Sequence, residues 1–259
     1  MELDPDQVQP RFRNAVRALR DLEREPRYLG AFVFGSLARS EGGPGSDVDA
    51  VIVVGDEVPC LNLSHPRIGG VKLDLSSPSM ERLRRNTAAE IERRERVPII
   101  AESAILFDRD GSLRHLRREA RQVRPRAVGA DAIREIRFLL RHEADKVDRL
   151  VDSDPASALL AMTMGVGGLI GLHYRLRGRW MRSSKRLLPD LREWDPELAG
   201  RLETFLLAGG GVAERRGHWD RVLEHVSAPA GGLSALIDSD CSCRRCQAHV
   251  ARLLSSVQE

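Results

Sequence analysis

The sequence predicts an α/β half followed by an all-helical half. Three observations carry that reading. Apolar runs of strand length are confined to the first half of the chain. One of them, "VKLDLSS" (71–77), alternates cleanly, with Val71, Leu73 and Leu75 on one side and Lys72 and Asp74 on the other. Beyond residue 126 the strand signals fade and apolar residues recur at helical spacing.

Taken in order, residues 8–25 place Val8, Phe12, Ala15, Val16, Leu19 and Leu22 at helical spacing, and Pro26 stops that helix. "YLGAFVF" (28–34) and "VDAVIVV" (48–54) read as short strands, the second ending in a turn at Gly55-Asp56. After the third strand, 71–77, a charged helix spans 79–96 with Pro78 and Ser79 near its start. "VPIIAESAILF" (97–107) reads as a fourth strand near the sheet edge, and another helix opens after a turn at Asp110-Gly111. Residues 131–151 are amphipathic, with Ile133, Ile136, Leu139, Leu140, Val147 and Leu150 on one face. Pro155 starts a glycine-rich helix running to about residue 177. Its apolar run "ALLAMTMGVGGLIGL" (158–172) is short for a membrane span, so a buried core helix is expected. Further helices are expected at 184–192, 196–207, 212–225 and 244–256. The composition change near "QVRPRAVGAD" divides the chain into domains 1–125 and 126–259.

At 259 residues the chain is long for one ordinary domain and comfortable for two, and 42% hydrophobic content excludes wholesale disorder. The net charge is +3, yet lysine appears only at Lys72, Lys146 and Lys185. The remaining basic residues are arginines, which grip phosphate or carboxylate with two hydrogen bonds. The acidic, polar opening "MELDPDQVQP" carries no signal-peptide pattern. Three of the four cysteines crowd near the C-terminus, unlike a secreted disulfide framework. A cytoplasmic protein is expected.

The chemistry concentrates between the first two strands. Asp47 and Asp49, two residues apart on an extended chain, point to one face with Cα atoms roughly 6–7 Å apart. Such a pair between apolar runs is costly without positive compensation. Asp74, on the polar side of its strand, is a candidate third carboxylate. Three hard oxygen ligands suit Mg²⁺, and two such ions can assist in-line phosphoryl displacement. Gly35 lets backbone approach a ligand closely. Ser36 opens "SLARSE", a short helix whose amides and hydroxyl could hold phosphate. Arg39, one turn on, could reach the same anion or pair with a carboxylate. An ordinary glycine- and aspartate-rich turn is the plain alternative.

"GSLARSEGGPGSDVDAVIV" resembles the signature of the DNA polymerase beta-like nucleotidyltransferases, in the small branch that includes the aminoglycoside nucleotidyltransferases. Gly35, Ser36, Ala38, Arg39, Ser46, Asp47 and Asp49 carry the resemblance, which covers about residues 28–76. Ser40 departs from it, standing where many members have glycine. The resemblance implies a mixed sheet with helices, a nucleoside triphosphate bound through Mg²⁺, and transfer of a nucleoside monophosphate to an acceptor. It implies that Gly35 and Ser36 hold the triphosphate, that Asp47 and Asp49 bind metal, and that Asp74 completes the triad. The helical half resembles the substrate-binding domains of the same enzymes more loosely.

Several further residues are candidates. Glu102 interrupts its apolar run and reads either as a second general base or as a solvated edge residue. Helix 131–151 carries His142, Glu143, Asp145 and Lys146. By resemblance a carboxylate such as Glu143 could serve as base and Lys146 could reach phosphate, against ordinary surface charge pairing. Tyr174, Trp180 and Lys185 could stack a base or sugar and contact triphosphate, or simply pack a loop. Cys241, Cys243, Cys246 and His249 offer a compact structural Zn²⁺ set, or reduced thiols at a helix start. The arginine-dense stretch 82–126 reads as solvated helix faces, since it lacks aromatic interleaving and a recognised nucleic-acid module. The glycine-rich helix could pair two subunits or pack its own core.

The expected activity is thus Mg²⁺-dependent transfer of a nucleoside monophosphate, AMP from ATP first, to a hydroxyl of a small polar acceptor such as an aminoglycoside-like antibiotic. A protein or RNA acceptor is the alternative, as is a non-catalytic antitoxin or regulator. Intact aspartates and the length of the chain count against the last.

Overall fold

The structure is a computed structural model that describes residues 3–55, 63–233, 247–249 and 252. It divides into two compact units, Met1–Arg126 and Ala127–Glu259.

The first unit is built on a mixed sheet. Its strands are β1 (Tyr28–Phe34), β2 (Val48–Val54), β3 (Leu63–Ser64), β4 (Arg67–Ile68), β5 (Val71–Ser76) and β6 (Ala104–Asp108). The order is β3-β5-β2-β1-β6, with β4 also paired to β5. β1 runs antiparallel to β2 and β6, whereas β2 and β5 are parallel. Helices α1 (Pro10–Asp21), α2 (Gly35–Ala38), α3 (Met80–Arg93) and α4 (Ser112–Gln122) complete the unit.

Strand alternation explains how both sheet faces are covered. Ala31 and Val33 of β1 and Val48, Ala50 and Ile52 of β2 pack with Phe12, Ala15, Val16 and Leu19 of α1. Phe32, Val51, Val53 and Ile105 face the other way, against Leu83 of α3 and Leu113, Leu116 and Ala120 of α4. Ser79 caps α3 by accepting the amide of Arg82, which fixes where that helix begins.

One expected strand is divided. Within 97–107, Ile99–Glu102 forms a 3-10 turn and only Ala104–Asp108 is strand, at the sheet edge. Pro98 cannot donate to a ladder, and the turn still buries Ile100 and Ala101. A mostly apolar run broken by Glu102 and Ser103 therefore need not be one strand.

The second unit contains α5 (Ala130–Val151), α6 (Pro155–Leu176), α7 (Ser184–Trp194), α8 (Pro196–Leu207) and α9 (Val212–Ser227), followed by a 3-10 turn and by helical residues at 247–249 and 252. One core joins Ile136, Leu140 and Val147 of α5 to Met162, Leu169 and Ile170 of α6, Leu202 and Phe205 of α8, and Trp219 of α9. Prolines at the starts of α6 and α8 and carboxylate caps at Asp154 and Asp195 set those starts.

α6 departs from the expected buried core helix. Among the described residues it is the helix long and apolar enough to cross a membrane, with a mean hydropathy of 1.6, yet only 33% of that window is buried. One face enters the core, while Leu160, Met164, Gly167 and Gly168 face solvent. Its apolar composition all round gives no periodicity from which to tell the two faces apart.

Candidate functional site

The site begins with the register of two parallel strands. β2 and β5 pair so that Asp49 lies directly opposite Asp74. Both residues fall on the strand parity of Val51 and Val53, opposite to that of Leu73. Asp47 sits two residues before Asp49 and just ahead of β2. One carboxylate oxygen from each of Asp47, Asp49 and Asp74 lies within 4.8 Å of the others. All three side chains are partly exposed. Three like charges at that spacing repel one another unless a cation joins them. The donor set is all oxygen and fits a hard divalent ion such as Mg²⁺.

A histidine with no local sequence signal reaches the same group. Nδ1 of His65 lies 3.1 Å from Oδ1 of Asp74. His65 occupies the turn between β3 and β4, whose two-residue strands are too short to leave a periodic signal. It became legible only once β4 folded back on β5, pairing Arg67 with Lys72 and Ile68 with Val71.

The turn after β1 is tied sterically to these carboxylates. Gly35 opens α2 with φ 69°, in the left-handed region that favours glycine. A Cβ placed there would lie 2.3 Å from Oδ2 of Asp49. The conformation and the close approach thus each demand glycine. Gly35→Ala should cost about 1–3 kcal/mol through backbone strain and displace the Asp49 carboxylate. Chemical denaturation checks the first effect, and loss of any Mg²⁺-induced thermal stabilisation checks the second. Unchanged values in both would contradict this geometry.

The loop between α2 and Asp47 is fixed by its own hydrogen bonds. The Ser36 carbonyl accepts the amide of Glu41 at 2.8 Å. Ser46 Oγ accepts the amide of Gly43 at 2.9 Å. From α1, the Arg11 guanidinium donates to the carbonyls of Gly43 at 2.8 Å and Ser46 at 3.4 Å. Ser40 adopts φ 60°, a left-handed conformation in which a glycine would be unstrained.

Arg39 pairs with carboxylates beside the turn. Its guanidinium lies 2.9 Å from Glu41 and 3.8 Å from Glu102. Glu102 therefore projects from the end of a 3-10 turn toward Arg39, instead of standing on a strand.

The remaining candidates belong to the helical unit. Lys146 Nζ lies 3.8 Å from Glu143 on α5, and a Cβ on Gly165 of α6 would lie 3.2 Å from Glu143 Oε2. Lys185 is exposed on the first turn of α7. Tyr174 cannot supply a stacking face: it is 1% exposed and its hydroxyl donates to Asp190 at 2.7 Å. Trp180 is half-buried. Of the expected zinc set, Cys241, Cys243 and Cys246 lie outside the described residues, while His249 is exposed.

Residues 13–107, from within α1 to within β6, match the nucleotidyltransferase domain family. The mixed sheet of the first unit is therefore a nucleotidyltransferase fold followed by a mostly helical region. Among solved structures, a nucleotidyltransferase-like protein from Exiguobacterium sibiricum is similar at 17% identity and a TM-score of 0.48, covering 84% of this chain and 77% of that one. No curated protein matches the chain.

Proposed function

We propose, from the nucleotidyltransferase domain at residues 13–107, that the chain moves a nucleoside monophosphate from a triphosphate to an acceptor hydroxyl and releases pyrophosphate. AMP from ATP is the first candidate for the group moved. The acceptor we infer is a small polar molecule of the aminoglycoside-like kind, which rests on the resemblance of the motif around Gly35–Asp49. The observation that carries the reading is the convergence of Asp47, Asp49 and Asp74 beside the positive-φ turn at Gly35.

Asp47, Asp49 and Asp74 would hold Mg²⁺, which would supply positive charge to the triphosphate and to the oxygens gained and lost at phosphorus. The chain's own groups then have separable tasks. Gly35 and Ser36 would offer backbone and a hydroxyl to phosphate oxygens. In the reaction the acceptor oxygen bonds to the α-phosphorus while the bond to the bridging oxygen breaks, and pyrophosphate takes that electron pair. The acceptor's proton needs a base nearby. Asp74 is our candidate for that role, and His65, 3.1 Å from it, would relay the proton onward. Arg39, steadied by Glu41 and Glu102, is positioned to support the turn it follows. In the helical unit, Lys146 and Lys185 are our candidates for contact with the triphosphate, and Glu143 for contact with a cationic acceptor.

The test incubates the pure protein with Mg²⁺ and α-labelled nucleoside triphosphates, against an aminoglycoside panel and a cell lysate. Label on a small molecule is the expected result. Label on RNA or protein would move the acceptor to a macromolecule. No transfer to any acceptor, with Asp47→Asn indistinguishable from the unaltered protein in nucleotide binding, would overturn the reading.

A further inference from the structure

The helical unit contains a second cluster of ligating side chains, unrelated to the three aspartates. His173 comes from the last turn of α6, Asp195 from the junction of α7 and α8, and His225 from the last turn of α9. Separations of 22 and 30 residues hide this set from any reading of local sequence. Nε2 of His173 lies 2.8 Å from Oδ2 of Asp195, and Nε2 of His225 lies 3.0 Å from the same oxygen. The three ligand atoms all fall within 4.8 Å of one another. The side chains are 0%, 10% and 14% exposed, so water does little to screen or compete.

We propose that His173, Asp195 and His225 form a binding site for one divalent transition-metal ion of the Zn²⁺ class. Two imidazoles and one carboxylate are a donor set suited to zinc and its first-row neighbours rather than to Mg²⁺ or Ca²⁺. Ligand bonds of about 2.0–2.2 Å bring neighbouring donor atoms to roughly 3 Å. Both Nε2–Oδ2 separations are already near that value.

The surroundings support the assignment. Oδ1 of Asp195 accepts the amide of Leu198 at 3.1 Å, which fixes the carboxylate and leaves Oδ2 to the histidines. The His173 ring stacks on Trp194, with centroids 5.4 Å apart and planes 12° from parallel. Nδ1 of His225 lies 3.8 Å from Glu197, an outer carboxylate of the kind that orients a ligating imidazole. Asp195 and His225 also line a cavity of about 560 Å³ with Arg177, Arg179, Trp194 and Glu197. With three protein ligands, the remaining coordination positions would be left to water or to an anionic group held by the two arginines.

Ligation needs the Nε2 lone pair of each ring. Without metal each Nε2 carries the hydrogen donated to Asp195. With metal Nε2 ligates and the hydrogen moves to Nδ1, where in His225 it faces Glu197. Nδ1 of His173 is buried with no hydrogen-bond partner among the described residues. An ion there would join the ends of α6 and α9 to the start of α8.

The experiment uses the full chain with Cys241→Ser, Cys243→Ser and Cys246→Ser, stripped of metal and kept in excess Mg²⁺. These conditions remove the clustered thiol ligands, leaving only Cys60, and occupy the carboxylate site of the first unit. Calorimetric titration with Zn²⁺ alone should show one equivalent bound. His225→Gln and Asp195→Asn should each weaken it at least about a hundredfold, and Glu197→Gln about tenfold. Ring ¹⁵N spectra of the folded, unsubstituted-histidine chain should show two of its 7 imidazoles switching from Nε2–H to Nδ1–H as Zn²⁺ is added. That readout stands even where a variant fails to fold. No Zn²⁺ binding, no tautomer switch, or equal binding by folded His225→Gln and Asp195→Asn would each overturn the proposal.

Discussion

Asp49→Asn should abolish nucleotidyl transfer and leave the fold standing. The substitution keeps the shape of a side chain whose Oδ2 would touch any Cβ at Gly35 and whose Cα pairs with Asp74 across the β2–β5 ladder. It removes one of the three charges that would hold Mg²⁺ under the proposed function. A metal-borne stabilisation of several kcal/mol corresponds to a loss of about a thousandfold or more in rate. The effect on stability should have the opposite sign in metal-free buffer. Three carboxylates with oxygens within 4.8 Å repel one another there, so neutralising one relieves the folded state. Thermal melts should therefore show the variant equal to or above the unaltered protein without Mg²⁺, and below it once Mg²⁺ binds only the latter. Asp47→Asn should behave alike. A variant that keeps full transfer, or an undiminished Mg²⁺ shift in melting temperature, would remove Asp49 from the site.

What the sequence disclosed of that site follows from the range of each signal. Strands β1, β2 and β5 were legible because each has alternation or a compact apolar run bounded by turn residues. Asp47 and Asp49 were legible as a pair because two residues on one strand share a face. That Asp74 stands opposite Asp49 was not, because parallel pairing depends on the crossover and a one-residue slip would turn Asp74 to the other face. His65 and Arg11 were missed for a related reason. Each reaches its partner from an element with no composition of its own to mark it, the turn between two-residue strands or an otherwise ordinary amphipathic helix.

The helical unit was legible element by element and not in its contacts. The expected span 196–207 coincides with α8, since Pro196 and the carboxylate cap at Asp195 are local signals. Tyr174 was the opposite case. A rare aromatic beside arginines suggested an exposed stacking surface, whereas its hydroxyl serves a buried carboxylate 16 residues away. Aromatic composition does not distinguish a binding platform from a core side chain with a polar tip.

Asp190→Asn should destabilise the helical unit by about 2–4 kcal/mol. Asp190 accepts hydrogen bonds from Tyr174 at 2.7 Å and Trp194 at 2.8 Å through Oδ2, and from Arg182 at 2.9 Å through Oδ1. Its side chain is 12% exposed, so the charge is poorly hydrated and depends on these donors. Burial alone would raise its pKa. The hydrogen bonds from Tyr174, Arg182 and Trp194, and the charge of Arg182, outweigh burial and hold the carboxyl below the usual aspartate range. A depressed folded-state pKa means that the unfolded chain binds the proton first as pH falls. The contribution of Asp190 is therefore complete above about pH 4, the ordinary range of an unfolded aspartate, and is lost as pH drops through the lower folded value. Denaturant unfolding of the two proteins from pH 7 to pH 3 checks both halves of the claim. The gap between them should be widest at neutral pH and close on acidification. Tyr174→Phe should remove less on its own, and the double variant should cost less than the sum, because the two share a hydrogen bond. A gap that stays constant with pH would show that the loss comes from packing and not from the charge.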